Sequence, residues 1–151
     1  MKLGEALSRL KKEKSRLARL ILLRKQNIFV EKGKKPKFDP KELSKEIEIK
    51  IDEIRKLKIN IQETNLKTNI PGEDTSLAEA ILKVNDIRSK LSQLSQLFDD
   101  KPRSFSLTRE DKEYISTVDE AAVEELIEKL EVEKAQLDNK IQMANWATKL
   151  D

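Results

Sequence analysis

The sequence predicts an all-α protein: an antiparallel four-helix bundle of coiled-coil character, made of two copies of one helical hairpin. Three observations carry this. Leu and Ile recur at alternating steps of three and four through four separate stretches, the spacing that keeps one stripe on one helix face. The 151 residues are 39% charged and 4% aromatic, with three Gly and four Pro, a mixture that goes with long helices and narrow apolar seams. The four stretches also repeat in pairs at fixed offsets.

The first helix begins near Lys2 and carries Leu3, Leu7, Leu10, Lys14, Leu17, Ile21, Arg24 and Ile28 on one face, interrupted only by Lys14 and Arg24. Gly33 and Pro36 mark a connector, within which Ile28–Val30 reads as a short strand or a frayed helix end. The second helix has an explicit start. Asp39 is a natural N-cap, Pro40 suits the first helical position, and Glu42 stands three residues on; Phe38 and Leu43 occupy the staple positions. Leu43, Ile47, Ile51, Ile54, Leu57 and Ile61 carry its stripe to about Lys67, before Asn69-Ile70-Pro71-Gly72 stops it.

Thr75 or Ser76 caps the third helix, whose stripe is Leu77, Ile81, Val84, Ile87, Leu91, Leu94 and Phe98. Phe105 and Leu107, then Tyr114 and Ile115, flank a polar run, so residues 103–117 predict a short β-hairpin in the second connector. The fourth helix starts at Asp119 and presents Val123, Ile127, Leu130, Leu137, Ile141 and Ala144, ending near Trp146.

Helices one and three align at an offset of 74, with identities at Leu3, Ser15, Leu17, Leu20 and Leu23. Helices two and four align at 80. There Asp39, Gln62, Asn65 and Thr68 meet identical residues at Asp119, Gln142, Asn145 and Thr148. Apolar identities follow from any amphipathic pattern, but the matched Asp caps and the shared Ile-Gln-x-x-Asn ending do not. One domain therefore spans 1–151, with a first hairpin at 1–68 and a second at 75–148.

Composition also excludes chemistry. With no Cys and no His, disulfides, thiolate metal sites and the carboxylate–histidine di-iron centres of other four-helix bundles are ruled out. No cofactor or metal is expected, and no acid–base pair stands out, so an enzyme is not the expectation. No stretch reaches the roughly 20 apolar residues of a membrane span, and the N-terminus lacks an export signal's apolar core, so a cytoplasmic location is expected.

The opening Met1-Lys2-Leu3-x-Glu5-Ala6-Leu7, the connector Asn27…Val30-Glu31-x-Gly33-x-x-Pro36, the run Tyr114-Ile115-Ser116-Thr117-Val118-Asp119 and the ending Ile141-Gln142-x-x-Asn145-Trp146-x-Thr148 together resemble the septicolysin-like family of uncharacterised prokaryotic proteins. The resemblance covers the whole chain and implies a cytolysin, with no catalytic residues to carry over. Glu31 stands where Gln is commoner in that family, and Lys34-Lys35 replace acidic residues.

Two groups of residues are candidates for function. The repeated Asn65, Thr68, Asn145 and Thr148 read either as two equivalent polar sites or as register-fixing residues. Trp146, the sole Trp, reads as a plug over the bundle end or an oligomer contact. The second group is basic. Residues 1–38 hold thirteen Lys or Arg against three Glu, while the remainder carries a net −7. Lys11, Lys12, Arg16 and Arg19, with Lys34 and Lys35 in the connector, offer a footprint for nucleic acid or an anionic surface. They fall all round the first helix, however, and no aromatic residue interleaves them. The alternative is that this helix faces the acidic Asp119–Glu133 stretch, within one chain or between protomers. The leading expectation is a self-associating structural or protein-interaction module, a dimer or larger homo-oligomer.

Overall fold

The computed structural model describes residues 1–100 and 113–150. Four α-helices follow in chain order: α1 Leu3–Gln26, α2 Pro40–Lys67, α3 Leu77–Ser95 and α4 Glu120–Ala147. The two longest helices start where their caps dictate. Asp39 Oδ1 accepts from the Lys41 amide at 2.9 Å, and Asp119 Oδ1 from the Ala121 amide at 3.0 Å, satisfying first-turn donors that lack an intrahelical partner. Ser76, not Thr75, caps α3, its hydroxyl accepting from the Glu79 amide at 3.1 Å. At the start of α1 the Lys2 amide donates to the Glu5 carboxylate at 2.7 Å, and Lys2 Nζ donates to Ala147 O at 2.8 Å. That places a cation on the negative end of α4.

Helix α1 packs along α2, and α3 along α4, as two antiparallel hairpins; α1 also meets α4, and α2 meets α3. The core that joins the hairpins lies at one end. It contains Leu3 and Ala6 of α1, Ile61 of α2, Ile70, then Leu77, Ala80 and Val84 of α3, and Ile141 and Ala144 of α4. These are the beginnings of the odd helices and the ends of the even ones. Leu43, Ile47, Ile54, Ile87 and Val123 are buried outside that shared core. The accessible surface is 12,255 Å², against about 7,900 Å² for a compact monomer of this mass. The molecule is open: two hairpins joined at a base.

The base is stitched the same way twice. Leu3 N donates to Thr148 O at 3.0 Å and Leu150 N to Met1 O at 2.9 Å; Leu77 N donates to Thr68 O at 2.7 Å and Ile70 N to Thr75 O at 2.8 Å. Isolated antiparallel bridges Lys2–Lys149 and Asn69–Ser76 lie at the same places. Every residue of one set maps onto the other by the offsets 74 and 80.

The expected stripes are corrected, and the alternatives left open at Ile28–Val30 are decided. The buried stripe of α1 runs Leu3, Ala6, Leu10, Glu13, Leu17, Leu20, while Leu7, Lys14 and Ile21 are exposed. The predicted stripe had the right 3–4 alternation but drifted one residue off the buried face, because Leu recurs on both sides of that face. In α2, likewise, the half-buried Lys50 faces inward and Ile51 turns outward. Ile28–Val30 forms no strand; all three residues are exposed, Phe29 to 91%, and Asn27 closes α1 by donating from Nδ2 to Leu23 O at 2.8 Å. Of the hairpin expected over 103–117, residues 103–112 lie outside the described residues, and 113–117 contain no strand.

Candidate functional site

At the base, the repeated threonines work through their backbones. Thr68 and Thr148 end α2 and α4, their amides donating to Thr64 O and Ala144 O at 3.0 and 2.9 Å, while their carbonyls accept from the first residues of α3 and α1. Asn145 is buried and Asn65 half-buried. Neither amide side chain makes a hydrogen bond among the described residues.

Trp146 sits one residue beyond, and the structure lays its indole over α1. A Cβ built on Gly4 would stand 2.8–3.0 Å from Cδ2, Cε2 and Cε3 of the ring, closer than carbon atoms pack. Gly4 is what lets the ring lie flat on the helix, and the ring's outer side stays in solvent, 56% exposed. The equivalent pair in the other half is Leu66 and Ala78. There the smaller Leu leaves an open groove of about 400 Å³ between α2 and α3, lined also by Gln62, Asn65, Ile81 and Leu82. The two ends of the pseudo-symmetric base are thus unlike: one closed by an indole, one open.

The basic residues divide into two stripes rather than surrounding α1. Arg9, Lys12, Arg16 and Arg19 follow one another at steps of three and four and are all exposed, so they share one flank. Lys11, Lys14 and Lys25 lie on the other flank, in line with Gly4. Lys34 and Lys35 sit in the exposed connector, where Lys34 pairs with Glu31 and Gly33 turns the chain at φ 85°.

Midway along the first hairpin the structure buries a charge that sequence reasoning missed. Glu13 is buried on the inward face of α1; Lys50 Nζ lies 2.9 Å from its Oε2 and Arg16 Nη1 3.0 Å from its Oε1. Lys50 also reaches Glu53 at 2.6 Å. Hydrogen bonding to the Lys50 ammonium, partly opposed by desolvation, holds the Glu13 carboxyl below its ordinary 4.5. Bonds to Glu53 and then Glu13 raise Lys50 above its ordinary 10.5. The signal was available: the equivalent positions in the second hairpin are Ile87 and Leu130, so an apolar pair there marks both charges as facing inward.

The stabilisation from a lowered carboxyl is present above its unfolded value and lost as pH falls through the folded one. That from a raised ammonium is present below its unfolded value and lost as pH rises past the folded one. The pair therefore supports the hairpin between about pH 4.5 and 10.5. Lys50→Met, which strands the buried carboxylate, is expected to lower the melting temperature at pH 7 clearly more than Glu13→Ile with Lys50→Leu together. Melts of the two variants at pH 7 and pH 3.5 check this; equal melting temperatures at both pH values would rule out a stabilising pair.

This geometry can be set beside known proteins. The family of unknown function DUF6847 matches residues 9–150. The chain belongs to that family. A solved structure titled as a functionally unknown conserved protein from Corynebacterium diphtheriae shares the fold, with a TM-score of 0.87 and 29% identity over all of this chain and 99% of that one. No curated protein matches.

In this DUF6847 chain, no cluster of His, Cys, Asp or Glu among the described residues is placed to hold a metal ion. No described helix is long and apolar enough to cross a membrane. What the arrangement offers is surface: a basic flank, a second mixed stripe in line with Gly4, and apolar side chains beyond the base.

Proposed function

We propose that the protein is a non-enzymatic, cytoplasmic interaction module that works by self-association of its open hairpins. The observation that carries this is the confinement of the shared core to one end. Beyond it Ile21, Leu22, Leu97 and Val132 stand in solvent, each more than two-fifths exposed, an apolar load that soluble monomers ordinarily cover. The absence of His and Cys from the sequence supports the non-enzymatic part. Sedimentation of the purified chain at high micromolar concentration should give a dimer or larger species; a strict monomer there would remove the reading.

A second reading, binding of nucleic acid or another polyanion, rests on the flank Arg9–Lys12–Arg16–Arg19. Of these only Arg16 is held in an ion pair among the described residues. Association with duplex RNA or DNA would be strongest near about 50 mM salt and fall steeply with salt. No binding at that salt would dispose of it. The lytic activity implied by the septicolysin-like resemblance would need a lipid-inserting segment, and no described helix can supply a membrane span.

A further inference from the structure

The face of α1 that begins under Trp146 continues as Leu7, Lys11, Lys14, Ala18, Ile21 and Lys25, at steps of three and four from Gly4. All six are exposed. The stripe spans about 27 Å. Tracing α4 back from Trp146 along its own matching face gives Gln142, Asn139, Ala135, Val132, Glu128 and Glu125, with Glu124 beside them, again all exposed. Each stripe has apolar residues at its middle, Ala18 and Ile21 on α1 and Val132 and Ala135 on α4, and the two carry opposite charge. In one chain they touch at Gly4 and Trp146 and then part. Lys11, Lys14, Lys25, Glu124, Glu125 and Glu128 make no ion pair among the described residues.

The same opposition holds for whole arms. Residues 11–53 carry fourteen Lys or Arg against eight acids, a net +6; the equivalent residues 85–133 carry seven against thirteen, a net −6.

We infer that the basic–apolar stripe of α1 docks on the acidic–apolar stripe of α4 of a second copy of this chain, reciprocally, as a two-fold dimer. A two-fold axis satisfies both stripes of both copies at once and leaves neither open to further growth. Like arms placed together would oppose like charges, so the pairing is first arm to second arm. This rests on the self-association proposed above and specifies its partner surface.

The test uses the full chain with exposed charges reversed, leaving Lys12, Arg16 and Arg19 intact. One variant combines Lys11→Glu, Lys14→Glu and Lys25→Glu; the other combines Glu124→Lys, Glu125→Lys and Glu128→Lys. Circular dichroism verifies that helix content is retained, and sedimentation at low salt reads the assembly. The wild type is expected to dimerise, more weakly as salt rises. Each variant alone should dissociate about 100-fold more readily, from six exposed pairs disrupted per dimer. An equimolar mixture of the two variants should dimerise again, as should a chain carrying all six reversals. Either variant dimerising alone as tightly as wild type overturns the pairing but leaves self-association standing. Monomeric variants that stay monomeric when mixed, with the six-fold reversal also monomeric, overturn it equally. A wild type that is monomeric throughout overturns both.

Discussion

Leu77→Ala is expected to cost about 2–5 kcal/mol, the range for removing a fully buried leucine whose cavity cannot collapse. Leu77 is 0% exposed, opens α3, and belongs to the one cluster in which all four helices take part. Its amide also donates to Thr68 O, so its backbone cannot shift to close the space. For a chain of this length the loss corresponds to a fall of about 10 °C in Tm. Leu97→Ala makes the contrast. Leu97 is half-exposed in the second arm, outside the shared core, and the change should stay within about 0.5 kcal/mol. Urea titration of both variants by circular dichroism separates the cases. Equal losses would mean that the two hairpins are held along their length rather than at the base.

Gly4→Ala is the second large effect, and its sign is informative. Alanine inside a helix is ordinarily better than glycine by about 1 kcal/mol. Here the added methyl would stand 2.8–3.0 Å from three indole carbons, and overpacking of that kind costs about 1–3 kcal/mol. The clash outweighs the propensity, for a net loss of about 1–2 kcal/mol, and the ring is pushed off α1. Trp146 is the sole Trp, so its fluorescence reports the displacement as a red shift. Adding Trp146→Leu recreates the Leu66–Ala78 pairing that the other half already uses and should recover most of the loss. A Gly4→Ala protein that is more stable than wild type, with unshifted emission, would show that the ring does not rest on the helix.

Much of this fold was legible because its signals are local. Asp39, Pro40 and Asp119 announce helix starts within one turn, and the structure places them at N-cap, first position and N-cap. The ending shared by residues 61–68 and 141–148 located two equivalent helix ends from identity alone. What failed depends on partners far along the chain. Glu13 looks like a surface residue within α1 taken alone; its counterpart Ile87 in the other copy and its meeting with Lys50 on the next helix are what mark it as inward-facing. The two basic flanks share one helix, and only the contact of Gly4 with Trp146 tells which of them faces the second hairpin. The openness beyond the base was equally hidden. An apolar stripe reads the same whether it lies against its own chain or awaits another, and that ambiguity is where the functional question now sits.

Leu150 meets Met1 as Ile70 meets Thr75, and in the covalent case only residues 71–74 intervene. The two stitches are thus equivalent bonds, one of them spanned by a four-residue turn. A second copy of the turn Pro71-Gly72-Glu73-Asp74, placed between Leu150 and Met1, would close the ring. The chain could then be opened in the 71–74 turn instead, giving a circular permutant with all four helices in their places. In such a permutant the second hairpin would precede the first, with the base stitched by the same bonds.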